Sequence, residues 1–114
     1  MNEDDSKRLE LHDEVKKLNQ MIKDSQEYRM YIYADKMLRI QEELFNATQE
    51  YKRKYEDIQR YTEGNPYDEI QKLYYENDEL LHNSTVNEYL RAESAFFKLM
   101  RDVIDGICDE IKID

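Results

Sequence analysis

Glycine and proline are almost absent from this sequence, which holds two glycines and one proline in 114 residues. Sheet-containing folds of this length use many such residues in their turns, which argues against all-β and α/β classes. Gly64 and Pro66 lie close together, where glycine can form a left-handed helix cap and proline suits the first turn of the next helix. The sequence therefore predicts an all-α fold with one strong break, at residues 62–66.

Apolar side chains recur every three to four residues before this break, which is the period of one helix face. The first helix is predicted to end near Lys23, with Asp24 capping the next helix and Glu27 completing a capping box. The stripe then continues over residues 26–61 without glycine or proline. Two interpretations remain open there: one continuous helix, or a helix kinked or broken near Gln41, where a polar residue enters the stripe.

Two further helices are predicted after the break. The first of them is expected to reach about His82, and a Thr-x-x-Glu capping box at Thr85 and Glu88 predicts the start of the last helix, over about 86–112. We expect a single domain over residues 1–114, folded as an antiparallel bundle of long amphipathic helices.

The last helix has the most regular apolar seam, and we interpret it as the candidate partner interface. A seam of this length exceeds what one short neighbour can cover, so either a second chain or the long middle helix must lie against it. A homodimer is expected for the chain in isolation. Glu93 interrupts the seam, and two interpretations remain open. Its carboxylate either fixes the helix register or contacts a cation on a partner helix, or the residue simply lies at the edge of a wide apolar stripe. The candidate interface residues are Val86, Leu90, Glu93, Phe97, Met100, Ile104 and Ile107.

The formal net charge of -10 argues against direct binding of nucleic acid, because phosphate binding depends on clustered lysine and arginine. The basic run from Lys52 to Lys54 is interleaved with acidic residues and is interpreted as a solvated helix face. The ten tyrosines suggest base stacking only if a basic groove lies beside them. Tyrosine rings at the edge of a narrow core are the preferred interpretation.

No motif indicates catalysis, a metal site or a cofactor. Glu79 and His82 have the Glu-x-x-His spacing of di-iron bundles, but such a site needs the motif twice and further glutamates. Cys108, the single cysteine, lies among acidic residues that disfavour a reactive thiolate. A non-enzymatic protein without metal or cofactor is therefore predicted.

A single cysteine suits a reducing compartment. Residues 1–5 lack the basic and apolar segments of a signal peptide, and no stretch of the sequence approaches the length of a membrane span. A cytoplasmic location is therefore expected.

Three short motifs, Tyr55–Tyr61, Pro66 with Glu69-Ile70, and Arg91–Glu93, resemble those of the YlbF/YmcA family of small helical bacterial proteins. The resemblance covers about residues 9–111 and includes the hinge at residues 25–28. It implies antiparallel helices that are often dimeric, and a cytoplasmic regulatory adaptor. Relatives act in competence, sporulation and biofilm control, in complex with a further protein, and assist ribonuclease Y in processing messenger RNA.

Two differences from the family pattern matter. Better-known relatives have a cysteine-containing tail linked to iron–sulfur binding, whereas the only cysteine here is Cys108, so a cluster is not expected. The family often has an Asn-Asp break near the position of Gln41, and its absence leaves the middle helix free to continue. The alternatives to an adaptor are a structural coiled-coil spacer and an acidic inhibitor of a basic nucleic-acid-binding protein.

Overall fold

A computed structural model describes residues 2–111, which form six helices and contain no strand. The all-α prediction is confirmed. The predicted end of the last helix, near Lys112, lies outside the described residues. The helices are α1 (Glu3–Asp24), α2 (Gln26–Ile40), α3 (Glu42–Tyr61), α4 (Tyr67–Glu76), α5 (Asp78–His82) and α6 (Ser84–Glu110).

A single residue, Ser25, connects α1 to α2. Its backbone is extended, with φ -67° and ψ 152°. The Ser25 hydroxyl donates to the Ile22 carbonyl at 2.6 Å and accepts from the Tyr28 amide at 3.2 Å. The predicted boundary near Lys23 is therefore confirmed, but the prediction of Asp24 as the cap is wrong. Asp24 still belongs to α1, and the hydroxyl of Ser25 is the group that reaches the first turn of α2.

Gln41 separates α2 from α3, with φ -97° and ψ 78°. Its backbone amide donates to the Leu38 carbonyl at 3.0 Å, and its side-chain amide donates to the Thr85 hydroxyl at 3.2 Å. Of the two interpretations of residues 26–61, the broken helix is confirmed and the continuous helix is wrong. The break redirects the apolar stripe, because α2 packs mainly on α6 whereas α3 also packs on α4.

The strong break at residues 62–66 is confirmed. Gly64 has a φ of 76°, a left-handed conformation that a side chain would disfavour. Asn65 accepts a hydrogen bond from the Tyr67 amide at 3.0 Å, so α4 begins immediately after Pro66.

The element predicted to reach His82 is divided at Asn77, whose side-chain amide donates to the Leu73 carbonyl at 2.9 Å. This bond satisfies a carbonyl at the end of α4.

The predicted capping box at Thr85 and Glu88 is wrong. Asn83 caps α6, because its side-chain oxygen accepts from the amides of Thr85 and Val86 at 3.0 and 3.2 Å. The helix consequently starts at Ser84, about two residues before the predicted start.

A small core lies between α2 and α6. Tyr28 of α2 contacts Phe96, while Gln41 at the other end of α2 contacts Thr85, so these two helices run antiparallel. Leu38 and Val86 have no exposed surface. The buried cluster consists of Ala34, Leu38, Val86, Tyr89 and Ala92.

The molecule is extended, with principal dimensions of 58 × 38 × 22 Å and a radius of gyration of 18.9 Å. A compact chain of this length would have a radius of gyration of about 13 Å. Its accessible surface is 9284 Å², whereas a compact monomer of this mass exposes roughly 6,700 Å². Helix α1 contributes to this extension, because none of its residues is buried and it contacts α2 alone.

Candidate functional site

Helix α6 is covered along its first half and open along its second. Every buried residue of α6 lies between Val86 and Glu93, where α2, α3 and α5 pack against the helix. Beyond Phe96 the apolar face has no neighbour that buries it. The C-terminal half, residues 97–107, therefore presents an apolar strip on the surface, which we call the α6 strip.

The structure divides the seven predicted interface residues into two groups. Val86 and Glu93 are buried within their own chain, so neither side chain is accessible to a partner in this structure. Leu90 and Met100 are partly buried. The most exposed members are Phe97, Ile104 and Ile107.

Glu93 belongs to a buried polar cluster with Lys52 and Tyr89. The Lys52 amine donates to the Glu93 carboxylate at 2.5 Å and to the Tyr89 hydroxyl at 2.9 Å. The Tyr89 hydroxyl donates to the same carboxylate at 2.9 Å. The amine also lies 5.1 Å from the centre of the Tyr89 ring. Glu93 therefore contacts a cation, as one interpretation expected, but the cation comes from α3 of the same chain and not from a partner.

The pKa is raised for one member of this cluster, Lys52, and for Tyr31 beside it. Burial alone would lower the pKa of the Lys52 amine, but its hydrogen bonds to Glu93 and Tyr89 outweigh burial, and the pKa is raised above its ordinary value. Tyr31 has its pKa raised to about 12, first by burial and then by the charges of Tyr89 and Glu93. These shifts favour the charged form of Lys52 and the protonated form of Tyr31 at neutral pH.

An aromatic cluster marks the point where the covered half of α6 ends. The Phe96 ring lies 5.5 Å from Tyr28 and stacks 5.4 Å from Tyr31, measured between ring centres. Phe97 lies 6.2 Å from Tyr31 in a tilted arrangement and is still exposed. Tyr28 and Tyr31 thus lie at the edge of the core.

The basic run from Lys52 to Lys54 does not form a single surface. Lys52 points into the buried cluster, and Arg53 pairs with Glu50 and Asp57 on its own helix. The run therefore does not provide the clustered cations that phosphate binding uses.

A groove between α2 and α6 was not predicted from the sequence. It encloses about 830 Å³ and opens to solvent beside Met30 and Tyr33. Ala34, Ala92 and Ala95 line it, and their short side chains leave the space between the two helices unfilled. The sequence signal for this groove is the set of small residues that face each other on the two helices. Which small residues face each other depends on the antiparallel register of α2 and α6, which the sequence does not give.

The residues considered for chemistry remain apart. The His82 ring nitrogen Nδ1 lies 2.7 Å from the Asp78 carbonyl oxygen and 3.3 Å from the Asp78 carboxylate, so its nearest polar neighbours are on its own short helix. Cys108 is a free, half-buried thiol. Within residues 2–111 no three His, Cys, Asp or Glu side chains are placed to hold a metal ion. Over the same residues no helix has both the length and the apolar content needed to cross a bilayer.

The fold and these surfaces define an all-α protein with open apolar helix faces. Comparison with known families assigns it more narrowly: the chain belongs to the Com_YlbF family, described as control of competence regulator ComK, YlbF/YmcA, whose model matches residues 11–112. The resemblance to the YlbF/YmcA family is thereby confirmed, and membership implies a role related to competence regulation. Neither the curated proteins nor the solved structures gave a match to this chain.

Proposed function

We propose that this chain is a non-enzymatic regulatory adaptor that binds another protein through the α6 strip. The observation that carries the proposal is the exposure of three large apolar side chains on one helix face. Phe97, Ile104 and Ile107 are 46%, 52% and 48% exposed. Contiguous apolar surface of this kind is typical of protein–protein contact sites.

The proposed interface retains four of the seven residues predicted from the sequence. Val86 and Glu93 are omitted because their own chain buries them, and Leu90 is omitted because it lies before the α6 strip and packs against the core. The partner expected from the resemblance is a related helical protein, in a homodimer or a mixed complex. The retained residues are Phe97, Met100, Ile104 and Ile107.

The finer part of the proposal concerns the process that the adaptor serves. We assign it to ribonuclease Y-dependent processing of messenger RNA in the cytoplasm, an assignment supported by the family resemblance. The adaptor does not hold the RNA itself. The net charge of -10 opposes phosphate binding, and both Lys52 and Arg53 are engaged in ion pairs within the chain.

Co-purification tests this proposal. The tagged chain, expressed in its native cytoplasm, should retain a ribonuclease or a helical family partner. Ile104→Glu places a charge in the α6 strip and should reduce the recovered partner by about tenfold or more, since burying an unpaired carboxylate costs several kcal/mol. Ser94→Glu is the matched control: it adds the same charge to an exposed position of α6 outside the strip.

Other outcomes would favour the alternative functions. Recovery of a filament or a large scaffold would indicate a coiled-coil spacer, and recovery of a DNA- or RNA-binding protein would indicate an acidic inhibitor. Equal recovery of the ribonuclease or family partner with Ile104→Glu and Ser94→Glu would remove the α6 strip from the interface.

A further inference from the structure

The α6 strip continues, on the same face of the helix, into the half of α6 that its own chain covers. Glu93 and Tyr89 precede Phe97 by four and eight residues, a spacing that keeps all three side chains on one face. Glu93 and Tyr89 are buried, whereas Phe97 is exposed. The α6 strip therefore ends where another helix lies over this face, and not where the apolar pattern of α6 ends.

Helix α3 covers Glu93 and the hydroxyl end of Tyr89, and it is held there by polar groups. The Lys52 amine donates to the Glu93 carboxylate and to the Tyr89 hydroxyl. The side-chain amide of Gln49 donates to the same hydroxyl at 3.5 Å. We call Lys52, Tyr89 and Glu93 the latch, because they join the middle of α3 to α6.

The apolar contacts of α3 with the α2/α6 core lie at one end of the helix. Leu44 and Phe45 pack against that core, and both belong to the first turn of α3, beside Gln41. Gln41 is the single residue that separates α3 from α2. Helix α3 is thus fixed to the core by apolar side chains at its start, and by the polar latch further along.

Helices α3 and α4 form a unit with buried residues of its own. Tyr51 of α3 and Leu73 of α4 are buried, but neither belongs to the cluster between α2 and α6. Within residues 2–111, α4 contacts α3 and α5 and reaches neither α2 nor α6. A movement of α3 away from α6 can therefore carry α4 with it and leave the α2/α6 core intact.

We propose that α3 is a hinged cover, which pivots about Gln41 when the latch opens and thereby adds Glu93 and Tyr89 to the α6 strip. A polar latch suits a reversible cover, because its charged groups regain water when they separate. Opening would lengthen the continuous face from about 15 Å, over residues 97–107, to about 27 Å, over residues 89–107. The consequence for partner binding rests on the proposed adaptor function, whereas the opening is a property of the isolated chain.

Two substitutions release the latch from opposite sides. Glu93→Gln leaves the Lys52 amine without its counter-charge, and Lys52→Met leaves the Glu93 carboxylate without its own. In both variants the remaining charged group gains water when α3 moves away, so the ratio of open to closed molecules should rise about tenfold or more. Glu88→Gln and Lys54→Met change exposed positions of the same two helices and are the matched controls.

A distance between spin labels on α3 and α6, measured by pulsed electron paramagnetic resonance, reports the opening. Arg60→Cys and Ser94→Cys place the labels at exposed positions, and Cys108→Ser removes the native thiol. Residue 60 lies about 28 Å along α3 from Gln41, so a pivot of about 20° would move it by about 10 Å. The parent chain and both controls should show one main distance, and the two release variants should add a longer one.

Exchange of the charges provides the decisive test. Lys52→Glu combined with Glu93→Lys forms the same pair in reverse and should restore the distance of the parent chain, with circular dichroism to verify that the helices are kept. Release variants that keep the parent distance or lose their helices, or an exchanged variant that stays open, would each overturn the hinged cover. The proposed function fails by a separate result, equal recovery of the partner with Ile104→Glu, which leaves these distances unaffected.

Discussion

The carboxylate of Glu93 is buried in the interior of a small protein. Lys52 and Tyr89 offset the cost of this burial by pairing with it. Both oppositely charged groups are largely removed from water, and the tyrosine hydroxyl bridges them. The sequence showed a polar residue in an apolar seam but not its partner, because Lys52 lies 41 residues away on a helix whose direction depends on the break at Gln41.

Glu93→Gln should lower the free energy of unfolding by about 2 kcal/mol, since Lys52 would lose its counter-charge while still partly buried. Urea denaturation at neutral pH measures this loss. Glu88→Gln removes a carboxylate from an exposed position of the same helix and should change stability by no more than about 0.5 kcal/mol. Equal effects of the two substitutions would contradict a stabilising role for the cluster.

Alkaline solution should destabilise the fold. The pKa of Tyr31 and that of Tyr51 are both raised to about 12, chiefly by burial, and that of Lys52 is also raised. In all three groups the folded state binds the proton more tightly than the unfolded state. Stability is therefore fully present below about pH 10 and is lost as the pH rises from about 10 towards 12.

Urea denaturation across this pH range, together with tyrosinate absorbance, provides the measurement. Tyr51→Phe removes one of the three groups and should make the decline with pH less steep. A free energy of unfolding that stays constant from about pH 9 to pH 11 would exclude this linkage.

At the scale of the helices, boundaries marked by special residues were predictable, whereas those set by packing were not. Gly64 and Pro66 identified the break before α4, because few residues suit a left-handed cap or a first helical turn. The break at Gln41 has no such residue. The break at Gln41 exists because α2 and α3 pack against different neighbours. Since the sequence does not show these neighbours, it left open whether residues 26–61 form one continuous helix or a broken one.

Gln41→Asp should stabilise the protein by about 0.5–1 kcal/mol. The first turn of α3 has no side-chain cap, and a short carboxylate at Gln41 can accept from the exposed amides there. Loss of the hydrogen bond to Thr85 offsets part of the gain. Gln41→Glu is the control, since its longer side chain adds the charge without the capping geometry. Thermal unfolding compares the two, and an equal or lower midpoint for Gln41→Asp would contradict the capping argument.

At the scale of the whole molecule, the sequence predicted the all-α class, but it did not distinguish helix faces covered by the chain itself from those left open. The seam of α6 has the same period along its whole length, yet only the part up to Glu93 is buried. The stripe of α1 likewise has the pattern of a core helix and has no core to enter. The helical period of apolar residues shows that one face of a helix is apolar. Which element covers that face depends on how the helices are arranged in the tertiary structure.

The small number of buried residues has a consequence for the life of the protein in the cell. Among residues 2–111 only seven apolar and two polar residues are buried, so the isolated chain has little stability of its own. Proteases cleave such chains from transiently opened states, and binding of a partner reduces the population of those states. The abundance of this protein should consequently follow that of its partners through degradation, so that excess copies are removed without any change in their synthesis.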